Sequence, residues 1–188
     1  MFSPKERALL LDLAESSIRH GITHRRPLPV ELASYPEVLR QPGACFVTLK
    51  SHGALRGCIG TLEARHPLVE DVAGNAWAAA FSDPRFPPLT SCELHGLELH
   101  ISVLTTPQPM CFNSESDLLA QLKPGVDGLI IEDEGCRGTF LPSVWESLPR
   151  PADFLCHLKM KAGLPSDHWT KTLQVSCYQT ESFGKTLE

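Results

Sequence analysis

Arg56 and Cys58 stand two residues apart in the segment Leu55-Arg56-Gly57-Cys58-Ile59-Gly60. On a strand, side chains two apart share a face, so the spacing predicts a guanidinium beside a thiol. A neighbouring cation favours the thiolate, the nucleophilic form of cysteine. Gly57 and Gly60 are unusual inside a strand, where glycine marks a bulge or a close approach by backbone or ligand. Main-chain N–H groups near them could hold an anion. The segment reads as a thiol and anion-binding cleft, with Cys58 and Arg56 as candidate catalytic residues. It reads equally as a buried small side chain beside an arginine that pairs elsewhere, because free cysteine is commonly buried.

Further candidates lie along the chain. Asp83 and Arg85, in Asp83-Pro84-Arg85-Phe86, follow a helix end. They could grip a polar ligand, or simply hold each other. Glu98 and His100 share the polar face of a strand, as an acid–base pair or as a wet surface. Thr139 carries a hydroxyl suited to a ligand or to the backbone of its own sheet. The remaining histidines show no metal-ligand spacing and read as surface or helix-end groups; His52 and His66 flank the Cys58 hairpin, and either could act as a base there. Phosphate loops, dinucleotide fingerprints and nucleophile elbows are missing, which leaves nucleotide hydrolysis, dinucleotide chemistry and α/β-hydrolase chemistry without support. No metal and no cofactor are expected.

The elements that must position these residues are legible. Ser3, Pro4 and Glu6 form an N-terminal helix start with a capping box. Leu9, Leu10, Leu13, Ala14 and Ile18 make one apolar stripe, and Gly21 reads as the stop. Four prolines between Pro27 and Pro42 predict an extended connection with one helical turn at Glu37 to Arg40. Ala44 to Lys50 and Leu55 to Thr61 predict a hairpin turning at Ser51-His52-Gly53. A helix is expected over Leu68 to Phe81, ended before Pro84. Leu97 to Thr105 alternates as a strand. Ser114 caps a short helix through Leu122. Two short strands, Gly128 to Glu132 and Gly138 to Leu141, flank the turn Asp133-Glu134-Gly135. A helix over Ala152 to Ala162 stops at Gly163, and Leu173 to Thr180 predicts a last strand. Hairpins recur, there is no regular βαβ rhythm, and no internal repeat is visible. This argues for an α+β fold with a largely antiparallel sheet.

The chain has 188 residues, 42% of them hydrophobic, enough for one domain with a real core. A net charge of −5 and the lack of basic runs exclude a nucleic-acid or anionic-membrane surface. No stretch approaches the roughly 20 apolar residues of a membrane span, and the start lacks a signal-peptide core, so a cytosolic location is expected. The seven cysteines are scattered, without C-x-x-C pairs. Neither a disulfide framework nor structural zinc is expected.

Phe46-Val47-Thr48-Leu49 followed by Leu55 to Gly60 resembles the signature of the AMMECR1 family. Asp83 to Phe86, Leu99 to Thr105, Gly125 to Ile131, Thr139 to Trp145 and Lys161 to Leu164 follow in the family's order. The resemblance runs from about Phe46 to Phe183, and it is most specific at 55–60. It implies a single two-lobed domain over 1–188, with a larger lobe from the N- and C-terminal parts and a smaller inserted lobe. It also implies a place beside a Memo-like protein and a radical S-adenosylmethionine protein, in a pathway or complex. The motif positions carried over are Arg56, Gly57, Cys58, Gly60, Asp83, Arg85 and Thr139. Enzyme and non-catalytic adaptor, binding a partner or a small-molecule ligand, both remain open on these residues.

Overall fold

The computed structural model describes residues 1–188. Its first helix, α1, spans Pro4–His24. Ser3 N–H donates to the Glu6 carboxylate at 2.7 Å, and Glu6 N–H donates back to the Ser3 hydroxyl at 3.3 Å. Two orphan donors of the first turn are thereby satisfied. Gly21 is not the stop. The helix continues to an Arg25 cap at φ 58°. Gly21 is buried, and a Cβ there would come within 2.4 Å of the Phe81 ring and 2.6 Å of Trp77. It is needed for close packing, not for termination.

After a 3-10 turn at Leu32–Ser34 come α2 (Glu37–Arg40), β1 (Pro42–Gly43), β2 (Cys45–Ser51), β3 (Ala54–Gly60) and β4 (His66–Pro67). Then follow α3 (Leu68–Phe81), β5 (Glu98–Leu104), β6 (Gln108–Pro109), α4 (Glu115–Gln121), β7 (Gly128–Asp133) and β8 (Cys136–Phe140). Helix α5 (Pro151–Ala162), β9 (Gln174–Tyr178) and β10 (Thr180–Thr186) complete the chain. The strand expected over Leu173 to Thr180 is β9, and β10, which begins at Thr180, has no counterpart in the sequence reading.

The chain divides into two compact units, one of Met1–Leu104 with Glu181–Glu188 and one of Thr105–Thr180. The first holds a four-stranded sheet in the order β10-β5-β2-β3, and the second a four-stranded sheet in the order β6-β9-β7-β8. Antiparallel pairing joins β2 to β3 and β5, and β7 to β8 and β9. The fold is α+β.

The first unit's core lies between one sheet face and helices α1 and α3. Cys45, Val47 and Leu49 alternate inward along β2, against Val69, Val72 and Ala76 of α3. Ser17 of α1 is wholly buried and donates to Ala73 O of α3 at 2.7 Å, tying the helices together. The second unit has its own core of Leu129, Ile131 and Val175 against Phe154, Leu155 and Leu158 of α5. Trp145 stacks on Phe154 there, with centroids 3.8 Å apart.

The two units repeat one topology that the amino-acid pattern conceals. Each runs helix, hairpin, helix, strand: α1, β2–β3, α3, β5 in the first, and α4, β7–β8, α5, β9 in the second. In both sheets the third strand lies beside the first strand of the hairpin. Both hairpins turn through two left-handed residues, His52-Gly53 at φ 52° and 78° and Glu134-Gly135 at φ 51° and 78°, the geometry of tight I′ turns. The strand after β5 joins the second sheet, and the strand after β9 joins the first, so the last strand of each repeat is exchanged.

A glycine lets each helix approach its hairpin. A Cβ on Gly57 would lie 2.1 Å from Ala79 O of α3, and one on Gly138 would lie 2.8 Å from Ala162 Cβ of α5. Gly57→Ala meets backbone that cannot rotate away, and is expected to cost roughly 2–3 kcal/mol. Gly74, in α3, has open space above it, so Gly74→Ala should gain up to about 1 kcal/mol of helix propensity. Urea unfolding of the two variants should move the midpoint in opposite directions; a Gly57→Ala midpoint at the wild-type value would remove the close approach as a constraint.

Candidate functional site

The first unit brings Arg56, Gly57, Cys58, Asp83 and Arg85 together around β3, the edge strand of its sheet. Asp83 follows the C-terminus of α3, where Pro84 prevents further helix. Its side chain is 2% exposed. Its carboxylate accepts Cys58 N–H at 2.9 Å, Arg85 N–H at 3.1 Å, and the Arg85 guanidinium at 2.9 and 2.7 Å. The Arg85 Nη2 group also donates to Cys58 O at 3.3 Å. Both main-chain polar groups that Cys58 turns away from β2 are therefore taken by one ion pair. Arg85, then the two N–H donors, hold the Asp83 carboxyl well below the usual carboxylate range. Asp83 in turn holds the guanidinium charged, with the Cys58 sulfur a lesser contributor.

Cys58 faces Thr48 across the hairpin, with Sγ 3.3 Å from Thr48 Oγ1. Thr48 is register partner to Cys58 on one side and to His100 of β5 on the other. Cys58, Thr48 and His100 form a row across three strands, all half-buried. Two glycines beside this row make room for rings: a Cβ on Gly60 would meet the Phe46 ring at 2.3 Å, and one on Gly184 would meet His100 Nδ1 at 2.5 Å. Glu98 Oε2 is 3.7 Å from His100 Nε2, a half-buried pair. His52 is in the hairpin turn and His66 in β4; both are exposed.

Arg56 behaves differently from the simple alternation. Leu55 pairs with Lys50 and Gly57 with Leu49, so Arg56 is the extra residue of a β-bulge. Its guanidinium donates to Glu93 at 2.7 and 3.3 Å and to Pro87 O at 3.0 Å, not to the thiol. Arg56 draws the Glu93 carboxyl down to about 2, helped by the Thr90 N–H and hydroxyl. Arg56 Nη1 is buried without a hydrogen-bond partner. Arg56 and Arg85 stand 5.9 and 5.6 Å from the centre of the Phe86 ring. The cation next to Cys58 is Arg85. A bulge leaves no mark in residue spacing, and Glu93 carried no signal beyond its place three residues after Thr90, in a second capping box.

Thr139 belongs to the second unit, at the position in β8 that Cys58 holds in β3. Its hydroxyl donates to Leu129 O at 2.8 Å and lies 2.9 Å from the Tyr178 hydroxyl. Tyr178 is buried, which pushes its phenol up to about 12. Lys161 donates to Thr139 O at 2.9 Å, as Arg85 does to Cys58 O. The Thr139 side chain serves its own sheet.

One polar cluster escaped the sequence reading. Asp133, at the tip of the second hairpin, accepts from the hydroxyls of Thr170 and Thr172, from His168 Nε2 at 2.7 Å and from Glu134 N–H at 3.1 Å. Thr170, then His168, holds its carboxyl at about 2. His168 is an anchored group, not a surface one, with its side chain 11% exposed. The separation of 35 residues hid the pairing. No group of three or more His, Cys, Asp or Glu side chains is placed to hold a metal ion. No helix is long and apolar enough to cross a membrane.

These features define a class: α+β proteins of two topologically repeated units, with a cysteine clamped on an edge strand beside a threonine hydroxyl. The chain belongs to the AMMECR1 family, whose model matches residues 11–183. A protein of Methanothermobacter thermautotrophicus is 44% identical over 137 residues, covering 70% of this chain and 69% of its own. A protein of Thermofilum pendens is 36% identical over 98% of this chain and 92% of its own. The crystal structure of an uncharacterized protein from Pyrococcus horikoshii superposes with a TM-score of 0.90 at 31% identity, over 99% of this chain and 94% of that one.

The Arg56–Glu93 pair gives a pH signature. The Glu93 carboxyl is depressed from its ordinary 4.5 to about 2. A depressed carboxyl contributes stability that is present in full above the unfolded value and is lost as pH falls through the folded one. Glu93→Gln should therefore lower the urea midpoint at pH 7, and the gap to wild type should close between about pH 4.5 and 2. A gap of constant size down to pH 2.5 would show that the pair does not hold Arg56.

Proposed function

We propose that the first unit carries a thiol-dependent site, in which Cys58 is the nucleophile toward an electrophilic ligand. The observation that supports this reading is the clamp on Cys58. Asp83 and Arg85 fix both its N–H and its C=O, while the residue is only half-buried and its sulfur lies beside Thr48 Oγ1 at 3.3 Å. A reacting group needs a rigid backbone and an accessible side chain. The Arg85 guanidinium sits on the Cys58 carbonyl at 3.3 Å, and the Thr48 hydroxyl can donate to the sulfur. Arg56 supports the site from behind, through the bulge and Glu93.

Competitive alkylation tests this. Cys92 and Cys111 are exposed, and Cys58 is not fully so. At pH 7, iodoacetamide followed by peptide mass spectrometry should label Cys58 at least several-fold faster than either. Arg85→Ala should slow Cys58 and leave Cys92 and Cys111 unchanged. Labelling of Cys58 below the rate of the two exposed thiols would end the nucleophile reading.

A second reading, an adaptor that uses the same surface for a partner or metabolite, has one observation in its favour. Arg56 and Arg85 are already neutralised by Glu93 and Asp83, so they offer shape more than free charge. The family resemblance suggests a Memo-like protein and a radical S-adenosylmethionine protein as partners. In this reading Cys58→Ala retains a purified Memo-like partner on an affinity column, and Arg85→Ala loses it. Equal retention of both variants would exclude this surface as the contact.

A further inference from the structure

The second unit contains a cavity of about 920 Å³ beside the segments that leave β6 and lead into β9. That volume is in the range of small-molecule sites, roughly 300–1,000 Å³. Phe112 and Trp169 form its aromatic wall, with ring centroids 5.5 Å apart and planes tilted by 53°. Both are only partly buried at the margin of the unit's core. Aromatic rings that could have completed that core instead line an open hollow.

One unpaired lysine gives the hollow its sign. Lys159 of α5 is wholly buried, its ammonium 2.8 Å from Glu115 Oε2 and 5.6 Å from the centre of the Trp169 ring. Lys171 lies in the cavity wall, is exposed, and takes part in no ion pair. Asn113, in the same wall, adds an amide donor.

We propose that this cavity binds a planar aromatic anion. The ring lies against Trp169 and Phe112, and the acidic substituent meets Lys171 and the Asn113 amide. The site is independent of the Cys58 reading, since all of its residues belong to the second unit.

The full chain can be titrated with 8-anilinonaphthalene-1-sulfonate, an aromatic sulfonate with a planar naphthalene ring, whose fluorescence rises in an apolar site. One saturable site is expected. Lys171→Glu should weaken it ten-fold or more, and Trp169→Leu should abolish it. Lys5→Glu, a charge reversal at an exposed lysine of the first unit, and Cys58→Ala should bind as wild type. N-phenyl-1-naphthylamine, which has the same rings without the sulfonate, should bind at least ten-fold more weakly. Should Trp169→Leu fail to fold, as judged by circular dichroism, the exposed Lys171→Glu variant and the neutral probe decide the matter. Wild-type affinity in Lys171→Glu, or equal affinity for the neutral probe, would overturn the proposal.

Discussion

The first unit depends on how closely α3 can approach the β2–β3 hairpin. That distance is set by Gly57, whose missing Cβ leaves room for Ala79 O. At that separation, side chains at both ends of the helix can reach the main chain of the sheet. Near its start, Asp71 accepts Cys45 N–H at 2.9 Å, and Asn75, one turn on, donates to Cys45 O at 3.2 Å. Beyond its end, Asp83 and Arg85 do the same for Cys58. Two strands are thus gripped by one helix at N–H and C=O alike. A larger residue at position 57 would lift the helix and loosen both grips.

The second unit solves the same problem with other residues, and the comparison sharpens what Cys58 is for. Arg137-Gly138-Thr139 occupies the place of Arg56-Gly57-Cys58, with Gly138 against Ala162 of α5. In each edge strand a cation from outside the sheet takes the carbonyl after the glycine. Unpaired edges invite association with other chains, and blocking them with charge is a recognised defence. The side chains diverge. Thr139 spends its hydroxyl on Leu129 O and Tyr178, whereas the Cys58 sulfur meets one hydroxyl on a half-exposed face. Equivalent backbones thus carry a closed polar network in one unit and a half-buried thiol in the other.

Local signals were legible where local physics decides. The capping box at Ser3 and the bounds of α3, Leu68 and Phe81, follow from side chains within a few residues of the boundary. Gly21 misled because a glycine near a helix end has two uses, and only the distant rings of Trp77 and Phe81 select between them. The Arg56 bulge was hidden because one added residue changes the register, not the composition. Asp133 with His168, and β10 with β5, join residues far apart in the chain, and periodicity carries no information on such pairings. The repeat escaped for a related reason. Topology and turn geometry recur, whereas the residues share little beyond an Arg-Gly pair before the clamped position.

Cys58 and Cys45 differ in their surroundings. A cysteine that fills a hole is enclosed, as Cys45 is: it is wholly buried, and burial pushes its thiol well above the ordinary range. Cys58, on the neighbouring strand, is only half-buried and faces Thr48 across the hairpin. The work of holding the edge strand is done by its N–H and C=O, which any residue supplies. Because Asp83 ionises far below neutrality, the clamp on those groups persists across the physiological range. The clamp at position 58 therefore acts on the main chain alone and makes no demand on the side chain.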